Sequence, residues 1–253
     1  MNNLPLNLEN RRYLITGAAS GIGRATAVYL SRLNARLLLV DINKEKLEKT
    51  QQLCNPQDTI VCVDLTEAEQ LKMSVLSDVE SNGKLNGFVH CAGVPYIAPL
   101  KAISEETALK IFKINTYAGL ELAKLFANKK IYEGEYGSIV FISSVYGLVG
   151  SAANVGYAMT KGAIQSATKA LAIELAPKKI RVNCIAPGFV KTEMKDSINH
   201  NFNDDYNKLI ESLHPLGWGS PDDIAAGVAF LFSDMSKWIT GTIISIDGGF
   251  TAQ

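Results

Sequence analysis

Short runs of β-branched and leucine-rich residues alternate along this chain with longer segments of helical period, and that alternation restricts it to one kind of architecture. The strand-like runs are RRYLIT (11–16), ARLLLV (35–40), DTIVCV (58–63), LNGFVH (85–90), GSIVFIS (137–143), IRVNCI (180–185) and TIISI (242–246). Apolar runs without polar alternation suit strands covered on both faces, as in a parallel sheet. Between them lie helical stretches: one from Gly21, then 44–53, 67–80, 104–130, 156–176 and 221–233. The last has Ser220 as an N-cap and Pro221 at its first helical position. Strand–helix–strand units with right-handed crossovers predict an α/β fold, a doubly wound and mostly parallel seven-stranded sheet flanked by helices. No low-complexity linker or internal repeat interrupts the pattern, so residues 1–253 read as a single domain.

Charge excludes some partners. Lys plus Arg equals Asp plus Glu, 25 against 25, which leaves no net field to attract nucleic acid or an anionic membrane. The N-terminal MNNLPLNLENRR lacks the apolar run of a secretory signal. No stretch approaches the roughly 18 apolar residues of a membrane span. Cys54, Cys62, Cys91 and Cys184 show neither a CxxC pair nor metal-like spacing, so no metal site is expected. Three of them lie in or at the end of strand-like runs, where small buried thiols are expected. Unpaired thiols point to the cytoplasm.

The first strand leads into Thr16-Gly17-Ala18-Ala19-Ser20-Gly21-Ile22-Gly23 and then a helix. Glycines let a backbone approach a pyrophosphate closely, and a helix N-terminus offers N–H groups and partial positive charge. The spacing is G-x-x-x-G-x-G rather than G-x-G-x-x-G, and a tight structural turn is the alternative. The second strand ends at Asp41, placed to accept hydrogen bonds from an adenosine ribose. Its charge would repel a 2′-phosphate, and neither Ser20 nor Ile42 supplies a neutralising cation. NAD(H) is therefore favoured over NADP(H). A plain helix cap is the other role open to Asp41.

Tyr157 and Lys161, four residues apart on a helix, share one face. Ser144 follows the fifth strand, at the sheet edge where the reacting end of a dinucleotide would lie. A free tyrosine has a pKa near 10, and a neighbouring ammonium favours its phenolate. Ser144 could hold a carbonyl oxygen while Tyr157 exchanges a proton with it.

Together these residues resemble the short-chain dehydrogenase/reductase family, in its compact single-domain branch, over essentially the whole length. The matches are Thr16-Gly17-x-x-x-Gly21-x-Gly23, Asp64 after the third strand, Ala92-Gly93 after the fourth, and Asn115. They continue with Ser144, thirteen before Tyr157, then Lys161, Pro187-Gly188 with Thr192, and Ile246-Asp247-Gly248-Gly249. The resemblance implies a Rossmann-type fold and a catalytic set of Asn115, Ser144, Tyr157 and Lys161, with Asn115 holding a proton-relay water and Lys161 also binding the nicotinamide ribose. It implies that Gly17, Ser20, Gly21, Ile22 and Gly23 receive phosphates, that Asp64 and Leu65 border adenine, and that Ala92 and Gly93 line the ribose. Pro187, Gly188, Val190 and Thr192 would meet the nicotinamide end. The family's usual Asn-Asn-Ala-Gly stands here as His90-Cys91-Ala92-Gly93; a His–Cys nucleophilic pair is disfavoured because neighbouring strand residues face opposite ways.

The segment at about 188–218 reads as a substrate-binding lid near the carboxyl edge of the sheet. The expected function is NAD(H)-dependent interconversion of a secondary alcohol and a ketone, with a small molecule as partner. An NADPH-dependent 3-oxoacyl thioester reductase, similar to the acyl-carrier-protein reductases of the family, is the alternative; a non-catalytic nucleotide sensor is the third. Relatives in the family are mostly tetramers or dimers, so a homo-oligomer is expected.

Overall fold

The computed structural model describes residues 6–194 and 204–253, so part of the expected lid lies outside the described residues. Among the described residues seven strands form one sheet: β1 (Arg12–Thr16), β2 (Arg36–Asp41), β3 (Thr59–Cys62), β4 (Gly87–His90), β5 (Gly137–Ile142), β6 (Ile180–Pro187) and β7 (Ile243–Ile246). Their order is β3-β2-β1-β4-β5-β6-β7, and every pairing is parallel. The helices are α1 (Gly21–Arg32), α2 (Lys44–Gln51), α3 (Ala68–Asn82), α4 (Glu105–Phe112), α5 (Ala118–Phe126), α6 (Val155–Leu175), α7 (Asp204–Ser212) and α8 (Pro221–Phe232).

The strands are uniformly apolar because both faces are covered. Alternate residues separate into two cores. Leu14, Phe88, Ile139 and Phe141 pack on one face with Val75, Phe126 and Ile164 from α3, α5 and α6. Tyr13, Ile15, Val89 and Val140 face the other way, against Leu30 of α1 and Phe232 of α8. Rings lock both layers: Tyr13 stacks on Phe232 at 4.1 Å, and Phe88 meets Phe126 and Phe141 edge-on. Ser220 caps α8 as expected, in a reciprocal capping box with Asp223.

Differences from the sequence reading have local causes. The helix expected over 104–130 is α4 and α5 joined by a wider π turn, Lys113–Tyr117. There the Ile114 carbonyl lies 3.3 Å from His90 Nε2, and the Asn115 side chain is fully buried. Asp58 does not begin β3; its carboxylate turns inward and accepts from the N–H groups of Leu37 and Asn55. Cys62, expected to be buried, is exposed because β3 is an edge strand. All four cysteines are unpaired.

The chain order reverses between β1 and β4, and open α/β sheets bind ligands in the crevice beyond such a switch point. One buried ion pair ties the opposite end of this region. Arg12 Nη2 lies 2.5 Å from Asp78, and the two side chains are only 4% and 8% exposed. Arg12 also donates to the Gly83 carbonyl and to Thr59 Oγ1. Removing one member would strand a buried charge. Asp78→Ala is therefore expected to lower stability by about 3–5 kcal/mol, seen as an earlier urea midpoint. Lys49→Ala, which breaks the solvated pair with Glu45, should leave the midpoint in place.

Candidate active site

The turn after β1 uses its glycines for two purposes. Gly17 has φ +66°, and a Cβ there would stand 2.8 Å from the Ala92 nitrogen. A Cβ on Gly23 would stand 2.1 Å from the Gly17 carbonyl oxygen. These two positions admit Ala92 and α1 to close backbone contact. Gly21 differs: it opens α1, and Ser20 before it makes no side-chain cap. The start of the helix thus faces the crevice with its N–H groups and partial positive charge.

Around this turn lies a cavity of about 350 Å³. Gly17, Ser20, Gly21, Ile22 and Gly23 form one wall, and Asp41, Asp64 and Leu65 come from the ends of β2 and β3. Ala92 and Gly93 close it from β4. Asp41 does not cap α2; Asn43 does, accepting from the Lys46 N–H. The Asp41 carboxylate accepts from the Ala19 and Asn43 N–H groups, both at 3.0 Å, which fixes it at the cavity wall. Asp64 similarly accepts from the Thr66 N–H at 2.8 Å.

A second cavity, of about 570 Å³, holds Ser144, Tyr157 and Lys161. Pro187, Gly188, Val190 and Thr192 line it from β6 and beyond. The two cavities share Ile22, Cys91, Gly93, Thr192 and Met194. Tyr157 lies in the first turn of α6 and Lys161 one turn later, with Lys161 Nζ 5.5 Å from the centre of the Tyr157 ring. Lys161 Nζ donates to the Ile142 carbonyl at 3.0 Å. Ser144 lies close enough to the Tyr157 hydroxyl to lower its pKa, and its Oγ accepts from the Tyr146 N–H.

Burial governs the charges of this group. It pushes the Tyr157 phenol up to about 12, only partly opposed by Ser144. It pushes the Lys161 ammonium down to about 8. The expected lowering of the tyrosine by the lysine is not found in the protein by itself: burial and Ser144 set the shift of the phenol, and desolvation penalises both charged forms.

Asn115 lies outside both cavities. Its Oδ1 accepts from the Val94 N–H at 2.8 Å, and its Nδ2 donates to the Val94 carbonyl and to Thr160 Oγ1. It thus staples the loop after Gly93 to α6. His90 ties the same region from below. A carbonyl only accepts, so Nε2 donates to Ile114, Nδ1 accepts from Thr16 Oγ1 at 3.0 Å, and Thr16 accepts from the Ala92 N–H. Burial and then the Lys161 charge push this imidazole down to about 3. It is a neutral strut.

Three features escaped the sequence reading. Gln165 Nε2 donates to Ser143 Oγ and the Ser144 carbonyl, clamping the end of β5 to α6; its position four residues beyond Lys161 was the available signal. Tyr146, Phe189, His214 and Phe250 form an edge-and-face cluster beside the larger cavity, gathered from distant parts of the chain with no common spacing. Glu193 accepts from the Gly21 N–H at 3.0 Å and contacts Arg24. Among the described residues no helix is long and apolar enough to cross a membrane.

Comparison with known proteins agrees with this architecture. The family model described as Enoyl-(Acyl carrier protein) reductase matches residues 17–251. A 3-oxoacyl-[acyl-carrier-protein] reductase, FabG, of Thermotoga maritima is 34% identical over 249 residues, covering 96% of this chain and 99% of its own. A short-chain type dehydrogenase/reductase from Mycobacterium marinum superposes with a TM-score of 0.90 at 27% identity, over 98% of each chain. An Agrobacterium tumefaciens protein assigned as a 2-deoxy-D-gluconate 3-dehydrogenase, solved with bound NADP, gives 0.88 at 27% identity, over 99% of this chain and 100% of its own. The class is that of nicotinamide-dependent oxidoreductases acting on CH–OH or keto groups. Within it, the chain belongs to the short-chain dehydrogenase/reductase family.

The geometry excludes the His90–Cys91 pair as a nucleophile, since both imidazole nitrogens are engaged and burial pushes the Cys91 thiol up to about 12. Iodoacetamide at neutral pH should modify exposed Cys62 first in the folded protein. Buried Cys184 should become reactive only on unfolding, and half-buried Cys54 and Cys91, whose thiols burial pushes up to about 12, should react more slowly than Cys62, as peptide mapping would show.

Proposed function

We propose that this chain is an NAD(H)-dependent dehydrogenase/reductase that interconverts a secondary alcohol and a ketone, with Tyr157 as its general acid/base. One observation carries the reading. Ser144, Tyr157 and Lys161 converge in a cavity that continues, through Ile22, Gly93 and Thr192, into the cavity of the glycine turn and Asp41.

The residues present fit a dinucleotide: close-approach glycines and a helix N-terminus for its phosphates, and a carboxylate at the ribose position. When bound, the nicotinamide supplies or accepts the hydride. The chain's own groups handle the proton. A phenol held near 12 is protonated at neutral pH, the state that can donate to a carbonyl oxygen during reduction. Ser144, lining the same cavity, would share that oxygen. During oxidation Tyr157 must first lose its proton, and Lys161 is the cation near enough to favour the phenolate. Asn115 has both ends of its amide engaged, which supports a positioning role for its side chain.

Preference for NAD(H) rests on Asp41 and its surroundings. The neighbouring Arg24 guanidinium is engaged by the Ala19 carbonyl, Thr50 and Glu193, so it is not poised to receive a 2′-phosphate. An NADPH-dependent 3-oxoacyl thioester reductase is the second reading, favoured by the name of the Thermotoga relative and the NADP in the Agrobacterium structure. A nucleotide sensor without catalysis is disfavoured by the intact Ser144, Tyr157 and Lys161. Among the described residues lining the larger cavity Lys161 alone is charged, beside Tyr96, Ile97, Val145, Tyr146 and Phe189. That lining supports an uncharged ketone with an apolar body. Exposed Leu109 and Phe112 on α4, with Met159 and Ile173 on α6, support a homo-oligomer.

Tyr157→Phe should lower kcat by about 10²–10⁴-fold while NADH still binds; full turnover by this variant would reject the mechanism. Asp41→Asn keeps hydrogen-bond acceptance and removes the charge, so the preference for NADH over NADPH should fall by about tenfold in paired titrations. Ketone reduction, which uses the protonated phenol, should be flat between about pH 6 and 8. Alcohol oxidation needs the deprotonated phenol and should fall as pH is lowered. Initial rates at 340 nm in both directions would test this sign.

A further inference from the structure

The turn after β1 and the segment after β6 meet at one carboxylate. Glu193 Oε2 accepts from the Gly21 N–H at 3.0 Å, and Oε1 accepts from Arg24 Nη1 at 3.2 Å. Gly21 is the first residue of α1, where unpaired N–H groups and the helix dipole favour an anion. The adjoining Thr192 touches the same place, with its Cγ2 3.5 Å from where a Gly21 Cβ would stand.

This point is also the passage between the two cavities. Ile22 and Thr192, the neighbours of Gly21 and Glu193 in sequence, line both. A ligand that fills both cavities must run between the first turn of α1 and residues 192–194. A dinucleotide carries its pyrophosphate at its midpoint, so its most anionic part would arrive where the Glu193 carboxylate already lies.

We propose that Glu193 is a tethered anion that holds the pyrophosphate seat of the nucleotide-free protein and is displaced when the cofactor binds. The inference rests on the nucleotide reading above and adds a residue that sets cofactor affinity. Two anions cannot share one N–H donor, and their charges repel at contact. The dinucleotide therefore binds only the fraction of molecules whose seat is open, and its apparent dissociation constant rises accordingly. Arg24 keeps its place when Glu193 leaves, because its other nitrogens are anchored on the Ala19 carbonyl and Thr50 Oγ1. Its Nη1 is then released to face the phosphates. Glu193 is about half exposed, so solvent can receive the displaced carboxylate.

The test compares the full chain with Glu193→Gln and Glu193→Ala, titrated with NADH, ADP and adenosine by calorimetry. The glutamine retains the length of the side chain and a carbonyl acceptor for Gly21 but carries no charge. Both variants should bind NADH and ADP about three- to tenfold more tightly, the loss of a partly exposed dipole contact and ion pair. Adenosine, which has no phosphate, should bind all three proteins alike. A contact that merely supports the turn would give the opposite sign, weakening every ligand. Unchanged or weaker NADH and ADP binding in the folded variants would overturn the inference and leave the nucleotide reading intact, as would equal tightening for adenosine. Failure of wild-type protein to bind either NADH or NADPH would overturn the nucleotide reading itself, and this inference with it.

Discussion

The smaller cavity depends on how closely the backbone of α1 can approach the end of β1. With no side chain on Gly23, the helix settles onto the Gly17 carbonyl, and with none on Gly17 that turn settles against Ala92. A methyl group at either position would meet backbone atoms, which cannot rotate away as a side chain can. Packing thus aims the N-terminus of α1 into the crevice between β1 and β4. The positive end of the helix and the carboxylate of Asp41 then come to share one cavity, although they belong to successive elements.

The larger cavity depends on a different balance, between burial and charge. Lys161 is buried and Tyr157 partly so, and each is thereby driven toward its neutral form. Lys161 is steadied by the Ile142 carbonyl, which solvates its ammonium without bringing it against the phenol. The bare protein therefore keeps a proton on Tyr157. Any arrangement that favours the phenolate must add positive charge or draw the ammonium closer, and both are consistent with a ligand entering beside Gly93. The surrounding polar links hold this geometry rigid: Gln165 fixes the Ser144 backbone, Asn115 fixes Val94, and His90 fixes Thr16 and the π turn.

Much of this was legible in the residue order. Seven apolar runs became seven parallel strands because a strand buried on both faces leaves a continuous apolar signature, and only ends moved, as where Asp58 turned inward. The glycine turn, Asp41, Ser144, Tyr157 and Lys161 could be placed because each sits at a fixed offset from a strand end or on one helix face. What could not be read was contact between distant segments. No periodicity links Phe189 to Phe250, and nothing in the run 104–130 announces a π turn, whose wider ring is stabilised by His90 from another element. The exposure of Cys62 likewise follows from strand order, which hydrophobic pattern does not encode.

At His90, where the family pattern has an amide, an imidazole makes two such contacts between distant segments. An amide offers a donor and an acceptor from two atoms of one plane, and neutral imidazole offers the same pair from opposite sides of a ring. His90 uses them on Ile114 and Thr16. The neutral ring fills that role without placing a charge in the interior. Burial and the charge of Lys161 both oppose protonation. The lysine that would serve Tyr157 therefore also adds to burial in keeping neutral the strut that bridges β1, β4 and the π turn.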